Sequence, residues 1–150
     1  QQIIMAGDLF HSEINNEWEY FKLWRRQFST LDFHLVKGNH DILQEEMYAD
    51  LHICTHEYVE MNPFLFIHDK IQGTHNQQPT TNYHYLISGH IHPGIKMKGS
   101  GKQNLYLPCF YFGKTEAILP AFGKFTGLYP VKVMDKDRVF VITEEKVLPL

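Results

Sequence analysis

Ile3-Ile4-Met5-Ala6-Gly7-Asp8-Leu9-Phe10-His11 is the stretch that decides the fold. An apolar run of strand length stops at Gly7-Asp8, so a buried strand delivers a carboxylate at its carboxyl end. The same arrangement recurs three times. Residues 31–36 read as a second strand, with Gly38-Asn39-His40-Asp41 just beyond it. A strand over 64–67 ends in Ile67-His68-Asp69, and Tyr85-Leu86-Ile87-Ser88 runs into Gly89-His90-Ile91-His92-Pro93. Between the first two strands, residues 13–28 space Trp18, Phe21, Trp24, Arg25 and Phe28 three or four apart, which predicts a helix with one apolar face. In an α/β sheet the carboxyl ends of strands are where sites form.

The rest of the chain fits this frame. Residues 45–49 read as a short helix, and strands over 57–61 and 64–67 flank the turn pair Asn62-Pro63. Residues 70–82 are polar and read as a loop. Further strands are expected over 104–107, 116–119, 131–134 and 139–143. A helix interleaved between strands in the first half and mostly strand in the second give an α/β class, a two-layer or four-layer sandwich of β-sheets flanked by helices. No linker interrupts residues 1–150, which are expected to form a single domain.

A formal net charge of −3 argues against a polybasic nucleic-acid binder and against a disordered acidic tail. It leaves nucleic acid open, because a local basic rim or bound cations attract phosphates as well. No apolar run is long enough to span a bilayer, so no membrane partner is expected. Two distant thiols, Cys54 and Cys109, and no charged-then-apolar leader suggest a reduced, cytoplasmic protein.

Carboxylate, amide oxygen and imidazole together suit Mn²⁺, Fe²⁺ or Zn²⁺, and the lack of thiolate ligands argues against a zinc finger. Singly, each segment has a plainer explanation. Asp8 or Asn39 can be a turn residue, and His68 a satisfied core histidine. His90 and His92 alternate, so they can share a face. Four such segments in one order make coincidence a poor account.

That order, Gly-Asp, Gly-Asn-His-Asp, a strand-end His and Gly-His-Ile-His, resembles the calcineurin-like metallophosphoesterase superfamily. The segment Gly7-Asp8-Leu9-Phe10-His11-Ser12 with Asn16-Glu17-Trp18 resembles, more narrowly, the DNA-ligase-associated metallophosphoesterases of bacteria. So do Leu107-Pro108-Cys109-Phe110 and Leu119-Pro120-Ala121-Phe122-Gly123 leading into Phe125-Thr126-Gly127. The likeness covers nearly the whole chain. It implies hydrolysis of phosphodiester or phosphomonoester bonds by a metal-activated hydroxide, on nucleic acid in DNA repair. DNA ligase and helicase would be functional associates. It implies two divalent cations, Mn²⁺ or else Fe²⁺ or Zn²⁺. Asp8 would bridge them, Asn39, His68 and His90 would complete one site, and His92 would bind the other.

His40 would act as a catalytic group on the leaving oxygen, and Asp41 would orient neighbouring histidines. His11 resembles a family position with three open roles: phosphate contact, support for a ligand, or helix start. Lys96 and Lys98, with Lys102, Lys114 and Lys124 beyond, can hold a nucleic-acid backbone or line an ordinary solvated hairpin. Tyr111 and Phe112 can stack on bases or pack in the core. The family begins with an Asp-x-His motif, and none precedes Asp8. The resemblance therefore leads one to expect an N-terminally truncated chain that holds one metal or none and hydrolyses poorly. A homodimer would cover the strand edge left open. An enzyme acting on small phosphoesters or phosphoproteins, and a non-catalytic interaction module, are the alternatives.

Overall fold

The computed structural model describes residues 1–11, 14–70, 83–98, 104–123 and 126–150. Its first sheet is parallel and three-stranded, β1 (Gln2–Met5), β2 (Asp32–Val36) and β3 (Ile53–His56), in that order. Helix α1 (Asn16–Arg26) connects the first pair and α2 (Glu45–Ala49) the second. Alternation along β2 sends Phe33 and Leu35 to the helical side. There they join Phe10, Trp18, Leu43, Tyr48, Leu51 and Ile53 in one buried cluster.

Helix α1 starts later than its apolar spacing suggests. The Asn15 side chain accepts hydrogen bonds from the Glu17 and Trp18 amides at 2.8 and 3.3 Å, a cap worth about 1 kcal/mol that fixes the first turn at Asn16. Residue 13, where the helix was expected to begin, lies outside the described residues. Arg25 falls on the apolar face for a reason. Its guanidinium lies 4.1 Å from the Phe33 ring centre and donates to the carbonyls of Phe28 at 2.9 Å and His52 at 3.2 Å. It thereby ties the end of α1 to the entry of β3.

Among the described residues the second sheet has nine strands: β4 (Val59–Met61), β5 (Phe64–Ile67), β6 (Tyr85–Ser88), β7 (Pro93–Lys98), β8 (Asn104–Phe112), β9 (Glu116–Ile118), β10 (Tyr129–Pro130), β11 (Arg138–Ile142) and β12 (Val147–Pro149). They run in the order β10-β7-β8-β9-β6-β5-β4, with β11 pairing β8 and β12 pairing β11. Ile95, Cys109, Val139 and Val141 form its buried cluster. Burial there pushes the Cys109 thiol up to about 11, so it stays protonated and packs as a small hydrophobe.

Four strands were not foreseen, among them the two-residue β10, which pairs β7 at Tyr129↔Pro93 and Pro130↔Gly94. β7 opens with Pro93-Gly94 and carries two lysines, which read as a loop; its ladder to β8, from Gly94↔Pro108 to Lys98↔Asn104, makes it a strand. β3 is held by parallel pairing to β2 (Phe33↔Ile53 to Val36↔His56), which Ile-Cys-Thr-His does not advertise. β12 is a short strand that pairs β11. Conversely, 131–134 forms no strand. The Asp137 carboxylate accepts the Met134 amide at 2.8 Å and turns the chain there. β8 runs on to Phe112 instead of stopping at 107, with Pro108 where its ladder passes from β7 to β11. The expected loop at 71–82 lies outside the described residues.

No helix among the described residues is long and apolar enough to cross a membrane. The two sheets meet at the carboxyl ends of β1, β2, β5 and β6. His68 Nδ1 lies 2.8 Å from the Ala6 carbonyl oxygen, and the Gly89 amide donates to the His68 carbonyl at 3.1 Å.

The helical-side core should dominate stability. Leu35→Ala, at a fully buried position, is expected to cost about 2–5 kcal/mol in urea unfolding. Leu23→Ala, 57% exposed on α1, should cost no more than about 0.5 kcal/mol.

Candidate metal centre

The chemistry-bearing loops after β1 and β6 pass through strained residues. Asp8, His90 and His92 have φ of 55°, 58° and 48°, in the left-handed region that side chains rarely adopt. Each such residue costs about 1–2 kcal/mol, so the surrounding packing and hydrogen bonds hold these side chains in place. Gly7 has φ 86° and is needed for a second reason: a Cβ there would fall 2.1 Å from His68 Nδ1.

The tautomer of His68 follows from its partner. A carbonyl only accepts, so the bond to Ala6 O puts the proton on Nδ1 and leaves the Nε2 lone pair facing the loops. Around that nitrogen stand Asp8 Oδ2 at 3.2 Å, Asn39 Oδ1 at 3.2 Å and His90 Nδ1 at 2.9 Å. A proton on Nε2 would serve one of these acceptors; a cation serves all of them. Bonds of about 2.0–2.2 Å set neighbouring ligand atoms about 3.0–3.5 Å apart, close to the spacing found. The ligand atoms of Asp8, His68 and His90 all lie within 4.8 Å of one another, and Asp8 and His68 are buried at the side chain. The donors therefore fit a divalent metal of the Mn²⁺, Fe²⁺ or Zn²⁺ kind.

Asp69, to which sequence reasoning gave no role, stands behind His90. Its Oδ2 lies 3.7 Å from His90 Nε2, so its charge favours the proton on that nitrogen and the lone pair on Nδ1. A carboxylate directly after a strand-end histidine was the available signal.

The remaining residues fall into three groups. His40 and His11 line the open side. Their rings meet edge to face with centres 4.7 Å apart, the His40 amide donates to Asp8 Oδ1 at 2.9 Å, and His11 Nε2 lies 3.9 Å from Asp8 Oδ2. His92 stands beside the cluster but is not among the three residues grouped above. Burial lowers its pKa below the usual imidazole value; the His90 and His11 charges lower it further, while the Gly127 backbone and the Asp8 carboxylate oppose the shift. A neutral imidazole is the form that binds metal. Asp41 is buried, and its described bonds are to backbone amides rather than to histidine rings: Asp8 and Gly38 at 2.8 Å to Oδ2, Leu9 at 2.8 Å and Phe10 at 3.3 Å to Oδ1.

Farther along β7, Lys96 is exposed, and its Nζ lies 5.8 Å from the centre of the Tyr106 ring on the paired strand. The Lys98 side chain, Lys102 and Lys124 lie outside the described residues. Tyr111 is committed elsewhere, its hydroxyl donating to Asp137 Oδ2 at 2.8 Å.

No protein-family model matches the chain, and no curated protein matches it. The chain is similar to a nuclease. The crystal structure of Pseudomonas putida nuclease MPE superposes with a TM-score of 0.78 at 29% identity, over 99% of this chain and 70% of that one. The likeness supports the mixed α/β fold.

Gly7→Ala tests the packing of the centre. The added methyl must displace His68 from the Ala6 carbonyl, so Mn²⁺ affinity measured by titration calorimetry should fall at least about tenfold while the fold persists.

Proposed function

We propose that this chain is a metal-dependent phosphodiesterase acting on nucleic acid, with the calcineurin-like metallophosphoesterase arrangement of sheets and ligands in one domain. The observation that carries the reading is the set of acceptor atoms gathered around His68 Nε2, whose other nitrogen is committed to Ala6. The likeness to a nuclease supports the choice of substrate.

Asp8 Oδ2, Asn39 Oδ1, His68 Nε2 and His90 Nδ1 are the atoms proposed to hold a divalent cation, Mn²⁺ before Fe²⁺ or Zn²⁺. His92 beside Asp8 is the group offered to a second one. Such a cation supplies Lewis acidity toward a phosphate oxygen and acidifies water. The protein's own groups do the rest. His40, exposed at the open side, places a ring N–H against the leaving oxygen and gives it the proton, while its backbone amide keeps Asp8 aimed inward. His11 packs on the His40 ring and limits its rotation. Asp69 favours the productive tautomer of His90. Lys96 on β7, which begins one residue after His92, offers a charge to the phosphate backbone beyond the scissile bond.

His40→Asn separates ligation from chemistry. With Mn²⁺ and a single-stranded DNA substrate, turnover is expected to fall about 10²–10⁴-fold while bound metal stays unchanged. Wild-type cleavage should vanish with EDTA. Loss of metal along with activity would make His40 a ligand, and cleavage indifferent to EDTA would end the proposal.

A further inference from the structure

We propose that Asp41 is a positioning residue that sets the metal affinity of the centre by locking two loops together through their backbones; this rests on the metal site proposed above. The lock is reciprocal. Asp41, in the loop after β2, accepts the amides of Asp8, Leu9 and Phe10 in the loop after β1, and also the Gly38 amide of its own loop. Asp8, in the loop after β1, accepts the His40 amide in return, through Oδ1 at 2.9 Å. Each loop thus holds the other through a carboxylate.

Two consequences follow for the centre. With Oδ1 held by His40, the carboxylate turns Oδ2 toward His68 Nε2, 3.2 Å away. With its own amide held by Asp41, Asp8 stays at its left-handed φ of 55°, a conformation that only a surrounding lock maintains. Asn39, between Gly38 and His40, is carried to the same spot by the same bonds. Gly38 allows the approach, since a Cβ there would meet Asp8 Oδ1 at 2.3 Å. A carboxylate is the side chain this needs. Both of its oxygens face two amide donors, so an asparagine in either flip would turn an NH₂ toward two N–H groups. Asp41 touches none of the proposed metal-ligating atoms in its described bonds, so it acts through Asp8 and Asn39.

The experiment measures Mn²⁺ binding by titration calorimetry in wild type, Asp41→Asn and Val139→Ala, with thermal unfolding alongside. Val139→Ala thins the Ile95–Cys109–Val141 core without touching either loop and controls for lost stability alone. The expected result is wild-type affinity for Val139→Ala and a drop of about 10–100-fold for Asp41→Asn, the range for groups that support metal ligands. Equal affinity in wild type and Asp41→Asn overturns the inference, as does an equal loss in Val139→Ala. Failure of wild type to bind Mn²⁺ would instead overturn the metal site itself. Should Asp41→Asn not fold, amide hydrogen exchange on wild type decides. The Asp8, Leu9, Phe10 and Gly38 amides should be protected before metal is added and should slow together on adding Zn²⁺. Rapid, independent exchange at these four would mean that the lock does not exist.

Discussion

One hydrogen bond, from His68 Nδ1–H to the Ala6 carbonyl at 2.8 Å, underlies most of what the centre can do. It joins the end of β5 in the second sheet to the end of β1 in the first, so the two sheets are registered where their loops meet. It also fixes a tautomer. Nδ1 is committed, and the Nε2 lone pair faces a carboxylate, an amide oxygen and a second imidazole, a set of donors that fits a cation. Close approach is the condition for that bond, and Gly7, with no Cβ to meet the ring, supplies it.

The backbone of the centre is itself strained. Three of its residues sit at left-handed φ, and its acceptors face one another. Neither feature stabilises the fold. The stability comes from elsewhere: the aromatic cluster between β2, α1 and α2, and the Ile95–Cys109–Val139–Val141 cluster of the second sheet. A rigid frame on either side carries loops whose geometry would otherwise relax.

Much of the architecture was legible in the sequence because burial writes itself as periodicity. The runs before Gly7, Gly38, His68 and Gly89 are strands, and Trp18, Phe21 and Arg25 mark the inner face of α1, which ends at Arg26, before the expected Phe28. What stayed hidden was pairing. β3 and β7 owe their extension to neighbours distant in sequence, and β7's lysines and Pro93-Gly94 imitate a loop. Within the centre, the strand-end placement of Asp8, Asn39, His68 and His90 could be read, because apolar runs stop beside them. The work of Asp41 could not, since a carboxylate looks alike in sequence whether it meets backbone amides or water. Trp24 was read as inner and is 41% exposed, for it lies at the margin of the helical face rather than its middle.

The central claim is that Asp8, Asn39, His68 and His90 enclose one cation. Anomalous diffraction from crystals of this chain grown with Mn²⁺ tests it most directly. The account predicts a single strong peak among Asp8 Oδ2, Asn39 Oδ1, His68 Nε2 and His90 Nδ1, with bonds of about 2.0–2.2 Å and His68 Nδ1 still on Ala6 O. A peak elsewhere, or a His68 ring turned so that Nδ1 faces Asp8, would contradict it.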